Sequence, residues 1–471
     1  MTGPNELAVR TTAIPGLLVL DLTVHGDARG WFKENWQRAK MVALGLPDFA
    51  PVQHSVAYNA AAGVTRGIHA EPWDKLVSIA HGRAFCAWVD LREGPRYGAV
   101  HTEELDEGKA VFVPRGVGNS YQTLIDGTVY SYLVNAHWSP EASYSHLNLA
   151  DESAAIPWPI PLGSAEISEK DRNHPRLAQA SPVTPARTVI LGATGQLGTA
   201  LQAALPHAHA LSRQEVDLSD PSAIADLDFS DVGVVINAAA FTAVDQAETR
   251  QGRAAAWAVN ATAVAALARA AQEHRFTLVH YSTDYVFDGH GGSGPGGAYL
   301  ETDPISPVSA YGQSKAAGEA AVQQVPQHYL IRTSWVVGEG RNFVRTMRSL
   351  AERGVQPNVV EDQVGRLTFT SDLAAATVHL LDSRAPYGTY HATNSGEPAS
   401  WAEIARRVYT LAGRDTSDVH AVTTSEYLAG YDQPVAPRPS ISTLDLTKLE
   451  VTGLMMPGQW GALESYLDGG Q

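Results

Sequence analysis

Two patterns of apolar positions divide the chain. From about Leu17 to Ile160, apolar residues come in short runs broken by turns, as in KLVSIAHG, AFCAWVDLREG, KAVFVPRG and VYSYLVNAHW. Stretches such as Ala84 to Leu91 and Ala110 to Val113 are too short for helices and rich in Val, Phe and Trp, which predicts strands. Many short strands with few helical stretches predict a sandwich or barrel. Beyond about residue 187, TVILGA, VGVVINAA, FTLVHYSTDYVF, HYLIRTSWVVG and GTYHATN read as buried strands. Helical stretches such as RAAAWAVNATAVAALARAAQEH and NFVRTMRSLAERG lie between them. Strand and helix in alternation predict a parallel, doubly wound Rossmann sheet. The join HPRLAQASPVTPAR, residues 174–187, carries three prolines among small polar residues and suits a linker.

Length agrees with that division, since 471 residues exceed one typical core. A formal charge of −16 argues against nucleic acid or an anionic membrane as partner. An anionic small-molecule substrate must then be met by local arginines and helix N-termini. Cys86 is the single cysteine, so neither an internal disulfide nor a thiolate metal cluster is available, and a small buried side chain is expected there. No apolar run approaches the roughly 18 residues that span a bilayer, and MTGPNELAVR lacks the layout of a secretion signal. A cytoplasmic protein is expected.

The stretch VILGATGQLG holds Gly192, Gly195 and Gly198 directly after a strand and before a helix. The first glycine suits a sharp turn, the second close approach of a pyrophosphate, the third tight helix packing. Gln196 and Leu197 then lie at the helix N-terminus, which offers free N–H groups and a favourable dipole to phosphates. The second strand ends near HALSR, where a carboxylate would grip a ribose hydroxyl and favour NADH. Ser212 and Arg213 stand there instead, which suits the extra phosphate of NADPH, with a solvated surface charge as the plainer reading of Arg213. Asp217 is placed beside the adenine. Further on, YGQSK puts Tyr311 four residues before Lys315, on one helix face. A neighbouring ammonium stabilises the phenolate and brings a tyrosine toward the working range of an acid catalyst. Thr283 closes a strand at the carboxyl edge, where its hydroxyl can hold the carbonyl that Tyr311 protonates.

Coupled, these features resemble a short-chain dehydrogenase/reductase. The wording VINAAAFTAVDQAE, HYSTDYVFDG, SAYGQSKAAGE, IRTSWVVGEGRNFV and VVEDQVGRLT resembles the dTDP-4-dehydrorhamnose reductase family. That resemblance implies NAD(P)H-dependent reduction of the C4 ketone of a nucleotide-linked 4-keto-6-deoxyhexose. It implies Thr283, Tyr311 and Lys315 as catalytic residues, with Asn260 supporting the lysine. Ala238, Ala239 and Ala240 join the cofactor contacts. Asp284, Val286 and Trp335 would line the sugar, and Asn342, Gln363 and Arg438 would face the nucleotide end. Core packing and a surface ion pair are the plainer readings of Trp335 and Arg438. Asp245 and Glu248 match an acidic patch that sits at a dimer contact in some relatives. A homodimer is expected, although a solvated helix face is the plainer reading of those two residues.

In the first half, VTRGIHAEPWDKLVSIAHGRAFCAWVDLREGPRYG resembles the dTDP-4-dehydrorhamnose 3,5-epimerase family, extended by DARGWFKENW, VFVPRGVGNSY, VYSYLVNAHWSP and ISEKD. The resemblance implies a β jelly roll over residues 1–173, with the reductase at 188–471. By matched position His69 is the base, Asp171 orients it, Lys75 stabilises an enolate oxygen and Tyr132 returns the proton. Arg29, Glu34 and Arg66 match substrate contacts. The family usually has His-Gly-Phe where this chain has Asn119, Ser120 and Tyr121, and a longer stretch than AEPWD between its histidine and lysine. Asn119 is kept as a substrate contact. A metal-binding cupin is the rival here, since HAE and PRGVGN echo its two motifs, but Asn119 stands where a second ligand would be. No metal is expected for the epimerase, and Mg2+ has no residue pattern behind it.

The expected product is a dTDP-6-deoxyhexose, most simply dTDP-L-rhamnose. In one rival reading the front domain has lost catalysis and serves as a binding or oligomerising module. In the other, the rear domain is a nucleotide-sugar epimerase or dehydratase that recycles its cofactor.

Overall fold

The computed structural model describes residues 6–139, 142, 144–220, 222–229, 231–429 and 435–469. The MTGPN that opens the chain lies outside them. The chain forms two compact units, Met1–Pro185 and Ala186–Gln471.

The first unit is a β-sandwich of jelly-roll type. One sheet runs Ala8–Thr11, Leu18–Asp21, Lys109–Val113, Lys75–His81, Thr128–Val134, Gln53–Asn59 in spatial order, antiparallel throughout. The other runs Ser145–His146, Val64–Ala70, Val117–Thr123, Ala84–Asp90, Val100–Leu105. Burial follows position in the sheet. The edge strand Gln53–Asn59 alternates, exposing His54, Val56 and Tyr58, whereas Ala84–Asp90, paired on both sides, is buried at every residue. Val19, Val77 and Ile79 from one sheet pack on Cys86, Trp88 and Tyr121 from the other.

The segment expected as a linker departs from that reading over most of its length. Tyr97 Oη donates to the carbonyls of Leu177 and Ala180, both at 3.0 Å, and Val183 pairs with Arg92 in a β-bridge. His174 and Ala180 are buried. These contacts tie the segment to the sandwich, so the first unit extends past residue 173.

In the second unit six parallel strands lie in the order His209–Leu211, Arg187–Leu191, Val232–Asn237, Thr277–Thr283, His328–Thr333, Gly388–His391. The first strand in sequence lies between the second and third, so connections leave it toward opposite sides. That is a topological switch point, where open α/β sheets leave a crevice at their carboxyl ends. Alternate side chains serve the two faces: Val189 and Leu191 pack with Val264 and Leu267, Ile190 with Leu373 and Leu380. The stretch Arg250–His274 is, against the sequence expectation, long and apolar enough to cross a membrane by length and composition. Its Val264, Leu267 and Ala271 are buried in the core beside the sheet. A smaller lobe packs helices Phe343–Glu352, Trp401–Leu411 and Gln459–Leu467 around Val344, Ile404, Val408 and Leu463.

Candidate active sites

In the first unit, His69 lies on the strand Val64–Ala70, in register with Asn119 on one side and His146 on the other. Asp171 arrives from the short helix Glu169–Arg172, capped by Ser168. His69 Nε2 meets Asp171 Oδ1 at 3.0 Å, and the Gly67 N–H donates to Asp171 Oδ2 at 3.3 Å. Gly67 has φ +122°, and a Cβ there would lie 2.5 Å from Ser120 Cβ, so a side chain is excluded where that N–H approaches. Burial pushes Asp171 upward, but the hydrogen bond and charge of His69, with the Gly67 N–H, outweigh it and hold the carboxyl below its usual range.

Two further imidazoles, not foreseen in the sequence, surround this pair. The His146 and His174 rings lie 5.6 and 5.3 Å from His69 and 4.6 Å from each other. Burial, then the charges of neighbouring imidazoles, push both downward, His146 to about 4. Both shifts favour the neutral ring. His69, Asp171 and His174 also present ligand atoms within 4.8 Å of one another, a set able to hold a metal ion that shares only His69 with the two cupin-like motifs.

Lys75 is buried at the start of Lys75–His81, in an ion pair with Glu71. Its ammonium lies 4.9 Å from the Tyr132 ring centre, on the neighbouring strand. Glu71 sits in the short AEPWD stretch and was not singled out from the sequence. Asn119, expected as a substrate contact, has its amide oxygen engaged within the protein. Its Oδ1 accepts from Trp88 Nε1 at 2.9 Å and Tyr130 Oη at 3.1 Å, so the amide oxygen is turned into the core. Arg66 Nε reaches Asn59 Oδ1 at 3.4 Å. Arg29 pairs with Asp27 on the hairpin Val24–Asp27/Gly30–Lys33, and Glu34 pairs with Lys40 just beyond it. Among the described residues no hydrogen bond or ion pair joins either to His69, Lys75 or Tyr132.

In the second unit, the glycine turn follows Arg187–Leu191. Gly192 has φ +78°, and a Cβ would fall 2.7 Å from Ala239 Cα, which brings the first and third strand ends together at the switch point. Ala238 N donates to Leu191 O at 3.0 Å, and Ala238–Ala240 leave the strand there. Gly195 caps the helix Gln196–Ala204 without a side-chain hydrogen bond, leaving the first N–H groups, at Gln196, Leu197 and Gly198, open to an anion. At the second strand end Arg213 is exposed and pairs with Asp217 at 3.4 Å. The sequence reading missed a carboxylate there: Glu215 accepts from Ser212 N and Ser212 Oγ, both at 2.8 Å.

Thr283, Asp284 and Tyr311 converge at the carboxyl edge. Thr283 Oγ1 donates to Asp284 Oδ1 at 2.9 Å and shares a hydrogen bond with the Tyr311 hydroxyl. Tyr311 rides the helix Ala310–Val322, whose first N–H, from Ala310, donates to Glu248 Oε1 at 2.7 Å. Glu248 is thus an anchor for the tyrosine helix, and Asp245 receives Arg438 Nη2 at 2.9 Å on both oxygens. Neither is simply a solvated helix face. Burial pushes Asp284 up to about 6, against hydrogen bonds from Ser442 and Thr283. The expected lowering of Tyr311 by Lys315 does not occur in this state: burial and the Asp284 charge push the phenol upward. Lys315 donates instead to Tyr281 O at 2.6 Å, and burial pushes it down to about 8.

Around this edge, Val286 is buried beside Phe287 and Tyr299. Trp335, at φ +45°, stacks on Trp401 at 3.8 Å. Asn342 caps the helix Phe343–Glu352 and donates to Tyr466 Oη at 2.9 Å, and Gln363 donates to Thr424 Oγ1 at 3.0 Å. Asn260 hydrogen-bonds Phe241 and Ser314, the residue before Lys315.

Residues 11–179 match the family described as dTDP-4-dehydrorhamnose 3,5-epimerase, and residues 186–469 match the RmlD substrate binding domain. An RmlC homolog from Streptococcus pyogenes serotype M6 is 46% identical over 179 residues, covering 36% of this chain and 90% of that protein. The chain belongs to both families. Its second unit is 38% identical to a dTDP-4-dehydrorhamnose reductase from Aggregatibacter actinomycetemcomitans, over 58% of this chain and 96% of the relative. A solved dTDP-4-dehydrorhamnose reductase from Bacillus anthracis, in complex with NADP, superposes with a TM-score of 0.54 at 33% identity, covering 60% of this chain and 99% of that one. One polypeptide thus carries an epimerase-family unit followed by a reductase-family unit.

Proposed function

We propose that the chain carries out two consecutive steps on one nucleotide sugar: 3,5-epimerisation of dTDP-4-keto-6-deoxyglucose, then reduction of the C4 ketone with NADPH. The observation that carries this reading is that each unit presents one polar set suited to one reaction of the same ketone. The ketone acidifies the hydrogens at C3 and C5. His69 takes such a proton, and Asp171 fixes its ring and stabilises the imidazolium. The Lys75 ammonium turns from Glu71 toward the oxygen on which enolate charge develops, and Tyr132 returns a proton from the other face. His69 then releases its proton to solvent and Tyr132 takes one back, so the cycle can repeat at the second carbon, invert both centres and leave the protein unchanged.

In the second unit, NADPH supplies two electrons and a hydrogen to C4 when bound. The open N–H groups after Gly195 suit its pyrophosphate, and Arg213 suits its 2′-phosphate once released from Asp217. Thr283 holds the ketone oxygen, and Tyr311 gives it a proton. Asp284 stays within reach of both hydroxyls, and Trp335 offers an aromatic face to the sugar. Glu215 supports the competing preference for NADH. Comparing turnover with the two cofactors, in the wild type and in Arg213→Ala, decides between them. A homodimer remains part of the reading and is tested by sedimentation.

A second reading, a first unit that binds without turnover, draws support from the core-facing Asn119 and from the Glu71 partner that holds Lys75. One experiment separates the two. The protein is given dTDP-4-keto-6-deoxyglucose in D2O, with and without NADPH, and the sugar is followed by NMR. Deuterium at C3 and C5 without NADPH, and a reduced sugar with it, are expected. Exchange no faster than in buffer leaves the binding-module reading, and no consumption of NADPH removes the reductase.

A further inference from the structure

Beneath the helix Ala310–Val322, Lys315 meets a buried polar chain that the proposed reaction does not use. His280 is completely buried on the strand Thr277–Thr283, and Asn237, 1% exposed, ends the neighbouring strand. Asn237 Nδ2 lies 3.1 Å from His280 Nδ1. The Ala239 N–H donates to Asn237 Oδ1 at 3.2 Å. A backbone N–H can only donate, so the atom it faces is the amide oxygen, and the amide NH2 is the group facing His280. That NH2 has no acceptor to offer, so His280 Nδ1 holds a lone pair. The ring is therefore neutral and carries its proton on Nε2. Burial and the Lys315 charge disfavour the imidazolium in the same direction. Nε2 lies 3.5 Å from Lys315 Nζ, whose other partner is Tyr281 O.

We propose that His280 is a positioning residue of the reductase: locked by Asn237 as the Nε2–H tautomer, it faces Lys315 with a donor and so favours the amine over the ammonium. An ammonium has three donors and no acceptor, whereas the amine lone pair can accept from Nε2–H. The other groups facing Lys315 are few. Glu319 lies one turn along the same helix but is held by Arg332 at 2.8 and 3.0 Å, Tyr311 lies one turn back, and Tyr281 offers only its carbonyl. Asn260 and Ser314, on the neighbouring helix and beside the lysine, are uncharged. The chain begins at Ala239, which packs on Gly192, so the turn expected to seat the dinucleotide also fixes the imidazole tautomer. The inference rests on the reading of Lys315 as the reductase lysine.

Asn237→Asp reverses the arrangement. Its carboxylate accepts from both Ala239 N–H and an Nδ1–H, which moves the imidazole proton and turns Nε2 into an acceptor for the ammonium. In the full chain labelled with 15N-histidine, the wild-type His280 signal is expected to show the neutral Nε2–H pattern from pH 6 to 9. Asn237→Asp should convert that signal to Nδ1–H, and His280→Gln should delete it, so either variant identifies it. In the pH profile of NADPH-dependent ketone reduction, the ionisation near pH 8 should move upward by about one unit in Asn237→Asp. A purely packing role lowers stability and leaves that ionisation in place. A wild-type Nδ1–H pattern, a His280 that titrates, or superimposable pH profiles would overturn the inference. A wild type that consumes no NADPH sinks the reductase reading alone, and the tautomer pattern stands apart from that result.

Discussion

His69 and Asp171 are separated by 102 positions in the chain and meet at 3.0 Å. Asp171→Asn keeps the shape of that contact but removes the charge that stabilises an imidazolium. Deuterium exchange at C3 and C5 is expected to slow by about 10²- to 10⁴-fold, the usual range for a general base, with NADPH consumption on pre-epimerised sugar unchanged. Exchange at the wild-type rate would remove the dyad from the mechanism. Asp284 makes a prediction of a different kind. Burial raises its carboxyl from 3.8 to about 6, so the folded protein holds that proton more tightly than the unfolded chain does. Stability associated with this group is therefore greatest below pH 3.8 and is lost as pH rises through 6. The loss is on the order of 3 kcal/mol. Asp284→Asn should raise the unfolding midpoint of the second unit at pH 8 and leave it nearly unchanged at pH 4. A shift of the same size at both pH values would contradict this account.

Among elements, the helix Ala310–Val322 shows how a catalytic side chain is aimed. Ser309 caps it by accepting from Gly312 N, and Glu248 takes the Ala310 N–H, a group that the helix itself cannot satisfy. Glu248→Ala should destabilise the second unit by about 1 kcal/mol, as lost caps do, and lower kcat more than it raises KM. An unchanged unfolding midpoint would deny the anchor. The sequence made much of this level readable. Tyr311 and Lys315 are one turn apart, Thr283 ends a strand, and the glycine turn sits between a strand and a helix, so local spacing carries their placement. Glu71, Glu215, His146 and His174 were not readable in the same way. His146 and His174 gain their meaning from His69, far away in the sequence, whereas Glu71 and Glu215 pair locally at a spacing that does not by itself announce a partner. His146, for example, meets His69 only because Ser145–His146 pairs with Val64–Ala70. The prolines of 174–187 misled for a related reason, since Pro marks where regular structure ends but not whether the chain then lies on a surface.

For the molecule as a whole, the two sites belong to units with separate cores. His69→Asn should abolish deuterium exchange while sparing reduction of pre-epimerised sugar, and Tyr311→Phe should do the reverse. Loss of both activities in either variant would mean that the units are coupled in a way their separate cores do not suggest. The buried Cys86 carries a further consequence. Its side chain is fully enclosed in the sandwich core, and burial pushes the thiol upward, away from the reactive thiolate. No surface sulfur competes for a maleimide. Cysteines placed at Val56, 60% exposed in the first unit, and Val451, 83% exposed in the second, would be the only two sites a fluorophore pair could take. Energy transfer between the dyes would then follow the spacing of the units while the sugar is being turned over, on a chain otherwise left as nature wrote it.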